Sequence, residues 1–237
     1  MLGLTINKQR DAPLRVLCLG AHSDDIEIGC GGTILRLARD YPRLSVDWVV
    51  FSAAGQREPE TLASASQFLA DVKDKRILVK DFRDGFFPYI GGEIKEQFEA
   101  LKRSTSPDLI LTHYRSDAHQ DHRLICELTW NTFRDHFILE YEIPKYDGDL
   151  GGPNLFVPLE EALCRAKVRT ILECFDSQRD RHWFTEDTFL ALLRLRGVES
   201  RSPSGFAEAF YCRKVALWPQ QTACMSRTAS AADGSDQ

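Results

Sequence analysis

Residues 14–41 read LRVLCLGAHSDDIEIGCGGTILRLARDY and contain an apolar run, a polar segment and an amphipathic stretch in that order. The apolar run, residues 14–20, is typical of a short buried strand. In residues 31–41, Ile34, Leu35 and Ala38 recur at helical spacing, which predicts a helix. A buried strand that leads through a polar loop into a helix is the repeating unit of an α/β sheet.

The same alternation continues along the chain. Apolar or β-branched runs predict strands over residues 44–54, 76–79 and 108–112. Apolar positions at helical spacing predict helices over residues 60–72, 92–104 and about 122–134. Because strands and helices alternate, we expect an α/β protein with a Rossmann-like three-layer α/β/α architecture and a mostly parallel sheet.

The later part of the chain is less regular. Its patterns predict strands over residues 137–143 and 207–218, helices over 159–175 and 186–196, and a turn-rich loop over 147–153. From residue 219 the composition becomes polar and small, which predicts a flexible tail over 219–237. We expect residues 1–218 to form a single domain.

Composition narrows the function. The 237 residues include 30 Lys+Arg and 35 Asp+Glu, a net charge of −5, which disfavours nucleic-acid binding. The seven cysteines are scattered without a C-x-x-C pair, which indicates a reducing compartment and no thiolate zinc site. Because no apolar run is long enough to span a bilayer and the N-terminal residues lack a signal-peptide pattern, we expect a cytoplasmic protein without integral membrane association.

Two polar clusters follow predicted strands. The first spans residues 21–33, and the second, HYRSDAHQDH, spans residues 113–122; together they hold four of the six histidines. Ligands of open α/β sheets bind at the carboxyl ends of the strands, which is where both clusters fall. We therefore expect the two clusters to form one site.

The residue types in these clusters suit a catalytic metal ion. Zinc accepts imidazole and carboxylate ligands, and its catalytic sites use three protein ligands and leave one position open. His22 and Asp25 can come from the first cluster, and either His119 or His122 from the second. Asp24 is then free to act as a general base, Asp121 can orient an imidazole, and the remaining histidine can stabilise developing charge. Such a set suffices for metal-assisted hydrolysis of an amide.

Both clusters resemble the motifs of one family. AHSDDIEIGCGGTI, residues 21–34, resembles the A-H-P-D-D motif of the PIG-L/LmbE-like family of zinc-dependent N-acetylsugar deacetylases, and DAHQDH, residues 117–122, resembles its H-x-D-H motif. The resemblance extends over about residues 14–212. It implies Zn²⁺, or Fe²⁺ in the cell, as cofactor.

The resemblance also implies a role for each site residue. His22, Asp25 and His122 correspond to metal ligands, and Asp24 to the general base. His119 corresponds to the group that faces the tetrahedral intermediate, with Asp121 supporting it. Arg57 lies where the family often has a substrate-contacting arginine. His113 is a candidate on position alone: it ends its strand beside the site, where a histidine either contacts substrate or satisfies backbone groups.

The chain departs from the family pattern at three places. Ser23 replaces a proline that would stiffen the turn, and Glu27 falls one place later than the glutamate of the common motif. Asp176 stands before Ser177-Gln178, where many members carry a histidine. These departures concern residues beside the predicted ligands and base.

Other interpretations of the same residues are weaker. The clusters could be polar loops with an N-cap aspartate, but the joint pattern favours a site. The glycines at 29, 31 and 32 do not fit G-x-G-x-x-G, which disfavours dinucleotide binding. An aromatic set is expected to serve packing more than sugar binding; its members are Phe82, Phe86, Phe87 and Tyr89.

These observations predict a hydrolase that removes the N-acetyl group from an acetylated amino sugar and releases acetate. The substrate would be a GlcNAc-type glycoside, a nucleotide sugar or a secondary-metabolite intermediate, and the enzyme could form a homo-oligomer. One alternative is a metal-dependent amidase acting on a non-acetyl or non-sugar amide such as a thiol conjugate. The other is a catalytically silent binding protein of the same fold.

Overall fold

The computed structural model describes residues 3–6 and 12–216. The predicted tail over 219–237 and Cys224 lie outside the described residues, so the proposed division into a domain over 1–218 and a tail stays a prediction. Within residues 3–6 and 12–216, no helix has the length and apolar character needed to cross a membrane.

A seven-stranded sheet in the order β3-β2-β1-β4-β5-β7-β6 forms the centre of the molecule. The first five strands pair in parallel, whereas β7 is antiparallel to both β5 and β6. The mostly parallel sheet confirms the predicted fold class. The strands are β1 Leu14–His22, β2 Leu44–Ser52, β3 Asp74–Val79, β4 Leu109–His113, β5 Phe137–Tyr141, β6 Leu155–Leu159 and β7 Phe206–Tyr211.

In the described part of the chain, six α-helices cover the two faces of the sheet. They are α1 Asp25–Asp40, α2 Arg57–Phe68, α3 Gly91–Ser104, α4 Gln120–Thr132, α5 Glu161–Cys174 and α6 Glu186–Ser200. Side chains of β1 alternate between the faces: Val16 and Cys18 pack with α1, α2, α5 and α6, while Leu17 and Leu19 pack with α3 and α4. Two hydrophobic clusters therefore separate three layers.

The prediction for α1 was wrong at its N-terminus. The helix begins at Asp25 and not at residue 31, and β1 continues to His22, so that a two-residue turn replaces the predicted polar loop. The glycines at 29, 31 and 32 lie inside the helix, and neighbouring side chains pack directly on its backbone at these positions. The apolar residues Ile26 and Cys30 are fully buried and hold this first part of α1 against the sheet.

The end of the sheet also differs from the prediction. Residues 155–159 form the edge strand β6, although the sequence pattern predicts no strand there and a helix from residue 159. Pro158 lies in this strand, which is compatible with an edge position because one side of an edge strand needs no ladder hydrogen bonds. Strand β7 ends at Tyr211, well before the predicted residue 218.

We expect Gly29→Ala to destabilise the protein strongly. A Cβ at this position would lie 2.1 Å from Cδ2 of Tyr141, a fully buried ring whose hydroxyl donates to the carbonyl of Leu19 at 2.7 Å. Overpacking of this kind costs about 1–3 kcal/mol or more. Gly92→Ala is the matched control, because no atom lies within 4 Å of its Cβ position in α3. Thermal unfolding of both variants tests this, and equal melting temperatures would contradict the close packing.

Candidate active site

The two polar clusters meet at the carboxyl ends of β1 and β4. These strands are parallel neighbours, with Val16 opposite Leu109 and Cys18 opposite Leu111. The strand order reverses between them, since β2 and β3 extend to one side and β5 to the other. The place where the strand order reverses is called the topological switch point. It leaves a crevice at the carboxyl edge of the sheet, in which α/β proteins bind ligands. His22 ends β1 on one side of this crevice, and His113 ends β4 on the other.

The three predicted metal ligands form a compact triangle. His22 Nδ1 lies 3.1 Å from His122 Nε2 and 3.3 Å from Asp25 Oδ2, and His122 Nε2 lies 3.5 Å from Asp25 Oδ1. Two ligands about 2.0–2.1 Å from a tetrahedral Zn²⁺ are separated by roughly 3.3 Å. Their nitrogen and carboxylate donors, all on buried side chains, therefore fit a divalent ion of this kind.

A carboxylate faces the outer ring nitrogen of each of the two predicted histidine ligands, His22 and His122. Asp117 Oδ2 lies 2.9 Å from His122 Nδ1, and Asp121 Oδ2 lies 3.4 Å from His22 Nε2. Carboxylates in this position fix the tautomer and orientation of metal-ligating imidazoles. Asp84 Oδ1, on a more exposed side chain, lies 2.9 Å from the same His22 nitrogen.

The charge states of the two histidines differ. Burial lowers the pKa of His122 to about 4, so the ring is neutral and able to act as a ligand. Burial also acts to lower the pKa of His22, but the Asp121 and Asp25 carboxylates outweigh it and hold that pKa well above its ordinary value. Binding of a cation at His22 would therefore displace a proton.

The adjacent carboxylates Asp24 and Asp25 have opposite electrostatic environments. Burial raises the pKa of Asp24, and the negative charge of Asp25 adds to this effect, while Arg57 opposes it. Burial also acts to raise the pKa of Asp25, but His122 and His113 overcome it and hold that pKa well below its usual range. Neighbouring carboxylates whose pKa values move apart commonly serve different roles, one as a proton acceptor and one as a fixed negative charge.

Arg57 and His119 lie beside the triangle. The Arg57 guanidinium, at the start of α2, donates from Nη2 to Asp24 Oδ1 at 2.7 Å. His119 is half-buried at the N-terminus of α4, where its Nδ1 accepts the Asp121 backbone N–H at 3.2 Å. The neutral His119 ring then carries its proton on Nε2, where it is a donor.

Asp121 and His113 both lie next to the predicted histidine ligands. The Asp121 carboxylate faces His22, where it can orient the imidazole, while the Asp121 backbone N–H donates to His119 Nδ1. The carboxylate also accepts the backbone N–H groups of Gly85 and Phe87 at 2.6 and 3.1 Å. His113 has no exposed surface and stacks on His122 with 3.9 Å between ring centroids. It therefore lies behind the ligands and not at the mouth of the site.

Asp117 and Asp84 are site residues that the sequence analysis did not assign. The sequence does contain an indication for Asp117: it is the first residue of the DAHQDH segment, and this spacing places it next to His122. The sequence contains no such indication for Asp84, because Asp84 contacts His22 from the loop between β3 and α3.

The aromatic residues at 82–89 and Asp176 lie outside the ligand triangle. Phe87 is buried and Phe82 partly buried, in line with packing, whereas Phe86 and Tyr89 are exposed. Asp176 lies in an exposed 3₁₀ turn and pairs with Arg179, so it does not replace a site histidine.

The fold and the donor set together define an α/β protein with a candidate His/Asp metal centre at its switch point. A family model described as PIG-L, GlcNAc-PI de-N-acetylase, matches residues 17–133, a segment that contains both clusters. The chain therefore carries a PIG-L family domain, which confirms the resemblance in its two motifs. No curated protein sequence gives a significant match to the chain.

Several solved structures share the fold, among them the following three. A conserved protein of Thermus thermophilus has a TM-score of 0.69 at 19% identity, covering 89% of this chain and 100% of its own. The N,N'-diacetylchitobiose deacetylase of Pyrococcus horikoshii has a TM-score of 0.66 at 22% identity, covering 83% of this chain and 82% of its own. The 4-carboxy-2-hydroxymuconate hydratase of Pseudomonas putida has a TM-score of 0.66 at 15% identity, covering 90% of this chain and 100% of its own.

Proposed function

We propose that the protein is a metal-dependent deacetylase that hydrolyses the acetamide of an N-acetylated amino sugar. The observation that carries this proposal is the triangle of His22, Asp25 and His122 with the separate carboxylate of Asp24 beside it. The PIG-L domain supports deacetylation, and one structure of the same fold belongs to a deacetylase of an acetylated sugar. Zn²⁺ suits the donors, and Fe²⁺ is the alternative ion.

The residues divide the chemistry among them. His22, Asp25 and His122 would hold the ion, which when bound supplies Lewis acidity that polarises a carbonyl and lowers the pKa of water. Asp24 takes a proton from water as the water oxygen bonds to the acetyl carbon. His119 donates from Nε2 to the developing oxyanion. The C–N bond then breaks, the proton passes from Asp24 to nitrogen, and acetate and a free amine leave.

The surroundings of the site support a polar, hydroxyl-bearing substrate. Arg57 offers donors at the site, and the exposed carboxylate of Asp84 offers acceptors near His22. A sugar ring carries hydroxyl groups that satisfy both. Because His113 is buried, we assign it a positioning role behind Asp25 and His122 in place of the predicted substrate contact.

A cytoplasmic location is part of this proposal. The six cysteines among the described residues are all free thiols, and five of them are buried. Such usage is typical of proteins from reducing compartments, where disulfides are rare.

Acetate release from a substrate panel tests the function. The metal-loaded protein is incubated with a GlcNAc glycoside, a nucleotide sugar, an acetylated glycosylated metabolite and a larger thiol-conjugate amide. We expect equal amounts of acetate and free amine from at least one acetylated amino sugar, loss of turnover after chelation, and recovery with Zn²⁺ or Fe²⁺. Cleavage confined to the larger amide would favour the amidase alternative. Absence of stoichiometric metal binding would favour a silent binding protein.

A further inference from the structure

A lysine outside the two motifs contacts Asp117, the carboxylate that faces the predicted ligand His122. Lys145 lies in the connection between β5 and β6, and its Nζ is 3.1 Å from Asp117 Oδ2 and 2.5 Å from Asp149 Oδ2. Asp149 Oδ2 in turn accepts the backbone N–H of Ala118 at 2.6 Å. The Lys145 side chain is only 10% exposed, so this contact is largely removed from solvent.

The oxygen that Lys145 approaches is the one that faces His122. Asp117 Oδ2 lies 2.9 Å from His122 Nδ1, while Asp117 Oδ1 accepts the backbone N–H of His119 at 2.8 Å. Both oxygens therefore have partners in the second motif, and Lys145 contributes the neighbouring positive charge. Among the described residues, Lys145 is the one lysine or arginine that pairs with this carboxylate.

A second positively charged side chain, that of Arg123, also contacts the segment around Asp117. Arg123 Nη1 donates to the backbone carbonyls of Asp117 and Ala118, so it fixes the main chain of the segment. Lys145 acts on the carboxylate itself. Because a buried carboxylate that loses its cation is left poorly compensated, its geometry against His122 depends on Lys145.

We propose that Lys145 is a positioning residue that holds the Asp117 carboxylate against His122 and thereby sets the affinity of the site for its divalent cation. This inference rests on the metal-binding part of the proposed function. Lys145 touches no candidate ligand directly, so its effect passes through Asp117. Loss of a partner that orients a ligand typically weakens metal binding about 10–100-fold, and an effect transmitted through one further contact belongs at the lower end.

Zinc affinity of the apoprotein, measured by competition with a chromophoric chelator, tests the proposal. We expect Lys145→Met to weaken Zn²⁺ binding by about 10-fold and Lys145→Arg to stay within about threefold of wild type. Lys95→Met is the matched control, because Lys95 pairs with Glu99 and Thr132 on α3 and α4. We expect this control to bind Zn²⁺ with wild-type affinity. Lys145→Gln replaces the methionine variant if thermal unfolding shows that the latter does not fold.

A double-mutant cycle separates positioning from a general structural role. In an Asp117→Asn background, Lys145→Met should cause no further loss of Zn²⁺ affinity, because the carboxylate through which Lys145 acts is absent. Wild-type affinity in Lys145→Met, or an undiminished effect in the Asp117→Asn background, would overturn the inference while leaving the proposed function intact. Failure of the wild-type chain to bind Zn²⁺ would overturn both.

Discussion

Replacing Asp24 with asparagine lowers the rate of amide hydrolysis by about 10²–10⁴-fold while the metal content stays at the wild-type level. Asp24 is buried beside the ligand triangle, and burial raises its pKa, which strengthens it as a proton acceptor. Asparagine preserves the shape of the side chain and can still accept the Arg57 hydrogen bond, but it cannot take a proton from water. Steady-state kinetics together with metal analysis of the purified variant measures both quantities.

Asp176→Asn is the matched control for this substitution. Asp176 is an exposed carboxylate in a 3₁₀ turn and pairs with Arg179 on the surface, so its replacement should leave turnover unchanged. If Asp24→Asn kept a rate within a few-fold of wild type while still binding metal, Asp24 would not be the general base. A loss of metal together with activity would instead indicate that Asp24 is a ligand.

Replacing His122 with alanine abolishes stoichiometric metal binding and, with it, the hydrolysis of the substrate. His122 supplies a neutral nitrogen to the triangle, and two remaining donors hold a divalent ion much less firmly than three. Metal content by elemental analysis and acetate release on the same preparation should fall together. Circular dichroism and thermal unfolding establish that the variant is folded.

His182→Ala is the matched control, because it removes a histidine that lies outside the candidate site. His182 is exposed and belongs to neither polar cluster, so this variant should bind metal and turn over as wild type does. Full metal content in His122→Ala would contradict the ligand assignment. The alternative trio of His22, Asp84 and Asp121 would then become the preferred cation site.

The sequence predicted those features that depend on periodicity and on motifs. The alternation of apolar runs indicated the parallel part of the sheet, because buried parallel strands are short and continuously apolar. The two clusters were expected to meet because both follow strands, and the pairing of β1 with β4 brings them together. The start of α1 was missed because residues 25–34 are all buried and show no alternation of apolar and polar faces at helical spacing. Its glycines allow close packing against Tyr141 and Phe68.

Other features of the site depend on contacts between distant parts of the chain. Nothing in the local pattern of Asp84 or Lys145 connects them with the motifs, since they lie in loops that follow β3 and β5. The Asp121 side chain turns toward His22 because backbone N–H groups at residues 85 and 87 require its oxygens. Strand β6 carries no alternating pattern that distinguishes it from a loop, and its pairing with β7 alone makes it a strand.

The position of β7 between β5 and β6 sets the order in which the chain can assemble. Among the residues that the structure describes, β6 precedes β7 in the chain and pairs with β7 alone, so β6 can join the sheet only after β7 has been synthesised. Glu208 of β7 then accepts the backbone N–H groups of Gly32 and Thr33 in α1, the helix that begins at Asp25. During synthesis, the helix whose N-terminal end carries Asp24 and Asp25 therefore gains its contact with Glu208 only when β7 has emerged.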